Sequence, residues 1–173
     1  MRLDEALDKF KGLELQMSTA YLWCSITFED LELRQFFSDM SDEELTHARA
    51  LDEIMLKNPT ALYQIDISQD KVQNEEDRIV RAIATVKTGL DVPATFAAVA
   101  QMEAGELNLV FESIMQAMRD GNLKKMEHIS ISTSYHIKKL KEAAGKFAIP
   151  GEIWSKINEL TVKNSEYYKV FKA

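Results

Sequence analysis

Cysteine is almost missing from this chain of 173 residues, and the lone Cys24 excludes an internal disulfide and any metal module built on four thiolates. Its place in the apolar seam of the first helical stretch makes it a core residue. Proline and glycine are scarce as well, at 3 and 6, too few for a protein of short strands and tight turns, so an all-α fold is expected. Basic residues are outnumbered, 21 against 28 acidic, and the net charge of -7 works against nucleic acid or an anionic membrane surface as partner. No long apolar run is present, and the opening segment from Met1 to Lys9 is charged and amphipathic. Neither a signal peptide nor a membrane span is expected, and the expected setting is cytoplasmic.

What the chain does have is helical periodicity. Phe10, Glu14, Met17, Tyr21, Cys24 and Phe28 recur at steps of four and three, predicting a first helix from about Asp4 to about Glu29. A reversal at Glu29 and Asp30 leads into a second helix, whose seam is Leu33, Phe37, Met40, Glu44, His47, Leu51 and Ile54 and whose end lies near Pro59. From Pro59 to about Asn74 the pattern breaks, as a crossover would, and a shorter helix from about Glu75 to Lys87 presents Ile79, Ile83 and Val86, with Gly89 closing it. Asp91 and Pro93 read as the cap and first-turn proline of a helix running to about Arg119, with seam Phe96, Val99, Glu103, Glu106, Val110, Ser113 and Ala117. After a turn at Asp120, Gly121 and Asn122 comes the seam Met126, Ile129, Thr133, His136, Leu140, Ala143 and Phe147. A final helix from about Glu152 to Val170 carries Ile153, Ile157, Leu160 and Tyr167, to cap one side of the bundle or to meet a second subunit.

Polar residues thus interrupt four seams, and they repeat. Glu14 lies 30 residues before Glu44 and 33 before His47, while Glu103 lies 30 before Thr133 and 33 before His136. The second helical pair therefore repeats the first at an offset of 89, with Leu140 over Leu51. Each 30-residue span is centred on a predicted turn, so a hairpin folded there brings its paired positions to one height, about 22 Å from the turn at 1.5 Å per residue. Carboxylates at Glu14, Glu44, Glu103 and Glu106 would then share a buried layer with no Lys or Arg on the same seams. Uncompensated buried charges are strongly unfavourable, so such a layer needs metal cations or protonated carboxyls.

With these positions in register the chain resembles the ferritin-like superfamily of di-iron carboxylate four-helix bundles, and rubrerythrin in particular. That pattern places a Glu on the first and third helices and Glu-x-x-His on the second and fourth. Glu14, Glu44, His47, Glu103 and His136 match it. Glu106 stands where rubrerythrins carry an additional carboxylate, and Tyr21 where they place a tyrosine behind the ligands. The resemblance runs from about Ala6 to about Phe147 and leaves the last helix outside. It breaks at Thr133, which replaces the expected second bridging Glu, and at the missing rubredoxin-like cysteines.

The resemblance implies one domain over 1–173, an up-down four-helix bundle of two hairpins joined by a crossover at 59–91, with an additional helix over 152–171. It implies a first metal on Glu14 and His47, a second on Glu103 and His136, and Glu44 bridging, with Glu106 free to swing onto the first. Glu44, Glu106 and Tyr21 would be the catalytic residues. Two irons are implied, or one if the change at Thr133 impairs the second position, and Zn or Mn suits the same donors. The implied activity is reduction of hydrogen peroxide or oxidation of ferrous iron, with electrons from a separate protein such as a rubredoxin, in a homodimer. Two other readings fit the residues: a protein that holds one ion without turnover, and a metal-free helical interaction module. His128 is expected as a surface histidine rather than a ligand, Tyr135 is expected to flank His136 and point sideways, and the charged residues of the run Lys138 to Lys141 are expected to form a solvated face.

Overall fold

Residues 1–88, 91–108, 110–119 and 127–172 are described by a computed structural model, which leaves the side chains at 106–111, 115, 118–134 and 163–173 undescribed. Eight helices account for nearly all of these residues: α1 (Leu3–Thr27), α2 (Leu31–Lys57), α3 (Pro59–Leu62), α4 (Gln69–Thr88), α5 (Val92–Asn108), α6 (Val110–Arg119), α7 (Glu127–Lys146) and α8 (Gly151–Lys172). No strand is found among the described residues, and no helix there is long and apolar enough to cross a membrane.

The reversal between α1 and α2 is built by Asp30, whose carboxylate accepts from the backbone N–H groups of Glu32 and Leu33, both at 2.9 Å, and so satisfies donors that the first turn of α2 leaves open. The two helices then run antiparallel in a register fixed from within. Ser41 Oγ donates to the Ser18 carbonyl at 2.9 Å, and farther from the turn Lys11 reaches Asp52 at 2.8 Å. Every seam position expected for α1 and α2 is buried, from Phe10 to Phe28 and from Leu33 to Ile54. Near the turn, Phe28 stacks on Phe37 at 5.5 Å and Phe36 on Phe96 at 5.6 Å, forming an aromatic plug that joins this hairpin to α5.

The connection departs from expectation. In place of a broken stretch up to Asn74 and a helix from Glu75, the chain makes the short α3 and then a helix that begins six residues earlier, at Gln69. Val72, Ile79, Ala82, Ile83 and Val86 form its buried stripe, and it packs on α1 and α5. The segment before it is tied to the start of α1, where Leu3 N–H donates to the Ile65 carbonyl at 2.8 Å and Ile67 N–H to the Met1 carbonyl at 2.9 Å.

Asp91 caps α5 through Ala94 N–H at 2.8 Å. The helix expected to Arg119 is helical on both sides of Leu109, as α5 before it and α6 after it, and Leu109 itself lies outside the described residues. Within α6 the buried position is Ile114 rather than Ser113, followed by Ala117. Helix α7 runs antiparallel to α2, as the contacts of Lys139 with Asp39 at 3.8 Å and of Lys146 with Glu32 at 2.6 Å require. Ala148 closes it at φ 49, while Ile149 N–H returns to the Ala144 carbonyl at 3.2 Å. Helix α8 lies against α7 and α5 and buries Ile157 and Leu160, so it caps one side of the molecule. The expected closing Gly89, the turn at Asp120 to Asn122, and the side chains of Met126, Ile129, His128 and Tyr167 lie outside the described residues.

Candidate metal centre

Helical periodicity puts Glu14 on the buried face of α1, Glu44 and His47 one turn apart on α2, Glu103 on α5 and His136 on α7. All five lie in one layer, between 0% and 6% exposed, in surroundings where a charge has no water to stabilise it. Glu44 is at the middle. Its Oε2 is 3.1 Å from His47 Nδ1, and its Oε1 is 3.3 Å from His136 Nε2. Glu14 Oε2 approaches His47 Nδ1 at 3.8 Å, and Glu103 Oε1 approaches His136 Nε2 at 2.8 Å. Two half-sites result, one from Glu14 and His47 and the other from Glu103 and His136, with one oxygen of Glu44 turned to each. The histidine rings stand 5.2 Å apart.

Tyr21 is buried and donates its phenolic O–H at 2.7 Å to Glu103 Oε1, the same oxygen that faces His136, and so restrains that carboxylate. The side chains of Glu106 and Thr133 are outside the described residues. Tyr135, beside the seam, is exposed.

Two participants were not evident from the sequence. Glu43 Oε2 lies 2.8 Å from His136 Nδ1, and its other oxygen accepts from Lys139. The side chain of Lys139 is only 24% exposed, which corrects the reading of the whole run from Lys138 to Lys141 as a solvated face. The signal that could have found the pair is the position of Lys139 on α7, three residues after His136 and therefore on its side of the helix.

Electrostatics follow from this geometry. Burial opposes the charge on Glu44, but His136 and His47 beside it outweigh that effect and hold its carboxyl down at about 2. Burial likewise opposes a charged His136, yet the carboxylates of Glu103 and Glu44 raise it well above the usual histidine range. Glu43 is also held below the usual carboxylate range, against its own burial, by His136 and Lys139. Without a metal the layer is therefore charge-paired, anionic at Glu44 and cationic at His136.

Pairing is not the same as satisfaction. Glu44 Oε1 and His136 Nε2 are sealed from solvent and face each other, but neither makes a hydrogen bond of acceptable geometry. A buried carboxylate oxygen and a buried imidazole nitrogen that face each other in this way suit a cation placed between them. Glu44, His47 and His136 could hold a metal ion, for one ligand atom of each lies within 4.8 Å of the others. Comparison with protein-family models, curated proteins and solved structures finds no match to this chain.

Proposed function

We propose that this chain is a ferritin-like, rubrerythrin-like non-haem iron protein, an oxidoreductase that acts on hydrogen peroxide or ferrous iron. The observation that carries the reading is Glu44, buried between two Glu/His half-sites with one oxygen directed to each. The donor set fits such a group, being all nitrogen and oxygen and containing buried atoms that form no hydrogen bond with one another. Glu14 and His47 would hold one ion, Glu103 and His136 a second, and Glu44 both. Iron bound there would supply the one-electron changes that peroxide reduction requires, with electrons from a separate donor protein. The chain's own residues do the rest. Tyr21 keeps Glu103 turned inward, the aromatic plug of Phe28, Phe36, Phe37 and Phe96 excludes water from the turn end, and the buried carboxylates balance the cations.

A second reading is a protein that holds one ion without turnover. It is favoured by the compact Glu44, His47 and His136 cluster, and by Thr133, which offers no carboxylate where a second bridge would stand. One experiment separates the two. The purified chain is loaded with ferrous iron under anaerobic conditions, bound metal is counted, and peroxide is added. Two ions per chain with loss of peroxide is the expected result. One ion without peroxide loss selects the second reading, and no bound metal rejects both.

A further inference from the structure

Two thioethers stand next to the centre on the side of the α1–α2 turn. Met17 follows Glu14 by three residues on α1 and Met40 precedes Glu44 by four on α2, so each lies about 4.5 to 6 Å along its helix from a carboxylate of the layer. The register between the two helices is fixed at this height, for Ser18 beside Met17 and Ser41 beside Met40 approach Oγ to Oγ at 3.0 Å. Val99 on α5 and Leu140 on α7 complete the level, and all four side chains are between 0% and 1% exposed. Beyond them Tyr21 and Phe37, with ring centroids 6.0 Å apart, begin the aromatic plug. We propose that Met17 and Met40 are oxidation sites served by the centre, where peroxide that enters the layer converts the two thioethers to sulfoxides.

Packing does not call for sulfur at these positions. Leucine has about the same volume and exchanges for methionine at small cost, and Val99 and Leu140 fill the matching places on α5 and α7. What the two methionines add is a nucleophilic lone pair beside the layer. The plug closes the turn end, so an oxidant in bulk solvent meets Met17 and Met40 last, while one held among Glu14, Glu44 and the histidines meets them first. The step balances without a partner protein. A sulfur lone pair attacks one peroxide oxygen, the O–O bond breaks as the S–O bond forms, and the second oxygen leaves as water with both protons. Sulfur loses two electrons and peroxide gains them. Each chain thus carries two internal two-electron donors beside a centre whose other electrons come from outside.

This inference rests on the reading of the centre as an iron site that consumes peroxide. The full chain is prepared with ferrous iron, with zinc, which suits the same donors but has no redox change, and without metal. Bound metal and peroxide loss are measured, and peptide mass spectrometry reads sulfoxide at Met17 and Met40 against the half-buried Met1 and Met55. With iron, Met17 and Met40 should oxidise faster than Met1 and Met55 by on the order of 10-fold, and with zinc or no metal the order should reverse to follow exposure. The double variant Met17→Leu, Met40→Leu keeps the core volume. Without an electron donor it should consume about two fewer peroxide molecules per iron-loaded chain, one for each sulfur removed. Wild-type chain that binds no iron, or binds it without consuming peroxide, overturns the reading of the centre and this inference with it. Peroxide loss in the iron-loaded chain with Met17 and Met40 unmodified, or oxidation of the pair at the same rate without iron, overturns the methionine sites alone.

Discussion

Cys24 lies fully buried in α1, and burial pushes its thiol from an ordinary 9.0 up to about 12. The thiolate is the reactive form, so at about pH 8 modification by a disulfide reagent should wait for the protein to unfold. Labelling at the speed of a free thiol would show that Cys24 is accessible. The same shift fixes a direction with pH. Between about 9 and about 12 the unfolded chain releases a proton that the folded chain keeps, so stability falls as pH rises through that window and is untouched by this group below it. Cys24→Ala should remove that alkaline slope, as denaturant titrations at two pH values would reveal. Cys24 was legible as core for the reason that Glu14, Glu44, His47, Glu103 and His136 were legible as inward-facing: helical period assigns a face without reference to any partner. Glu43 and Lys139 were not legible. Each sits among charged neighbours, as solvent-facing residues do, and what brings them together is the pairing of α2 with α7 across 96 residues of chain.

Between elements, α5 comes close to α4 at Gly105. A Cβ there would come within 2.8 Å of Ile79 Cγ1, 3.0 Å of its Cδ1 and 3.3 Å of Arg78 Nη2. Ile79 is itself packed to 1% exposure and cannot step aside. Gly105→Ala should therefore destabilise the protein by up to about 2 kcal/mol, the balance of about 1–3 kcal/mol of overpacking against the ~1 kcal/mol that alanine contributes to a helix interior. Denaturant unfolding measures the balance, and an unchanged or raised midpoint would mean that the helices part freely. Glycine inside the α5 pattern gave no hint of this partner. The first turns of α4 were hidden for a different reason: from Gln69 to Asn74 only Val72 is apolar, too few for a period to register. A capping reading would have found them, since Lys71 N–H approaches Ser68 Oγ at 3.4 Å and Val72 N–H donates to the Ser68 carbonyl at 3.1 Å. The long, strongly periodic helices α1 and α2, by contrast, ended within two residues of their expected limits.

Across the whole molecule, the repeat that relates Glu14, Glu44 and His47 to Glu103 and His136 anticipated that Glu14, Glu44, His47, Glu103 and His136 meet, while the second of the two turns it relied on, at Asp120 to Asn122, lies outside the described residues. The placement of α4 on α1 and α5, and of α8 on α7 and α5, was not readable, since an amphipathic face specifies that something covers it and not what. Convergence has a thermodynamic consequence. A cation held by Glu44 and His47 on α2 and His136 on α7 would bind the folded chain and have no equivalent site once these helices separate. Folding and metal binding are then linked, and free metal at about 100 times its dissociation constant adds about 2.7 kcal/mol of stability. Differential scanning calorimetry of metal-free protein with added zinc should show a higher melting temperature that a chelator returns to its starting value. Glu44→Ala and His136→Ala should abolish the shift, since one removes the residue common to both half-sites and the other the imidazole of the second. Cys24→Ala should keep it, because that side chain lies more than two turns along α1 from Glu14. A shift of the same size in all of these variants would place the cation on the acidic surface, outside the layer.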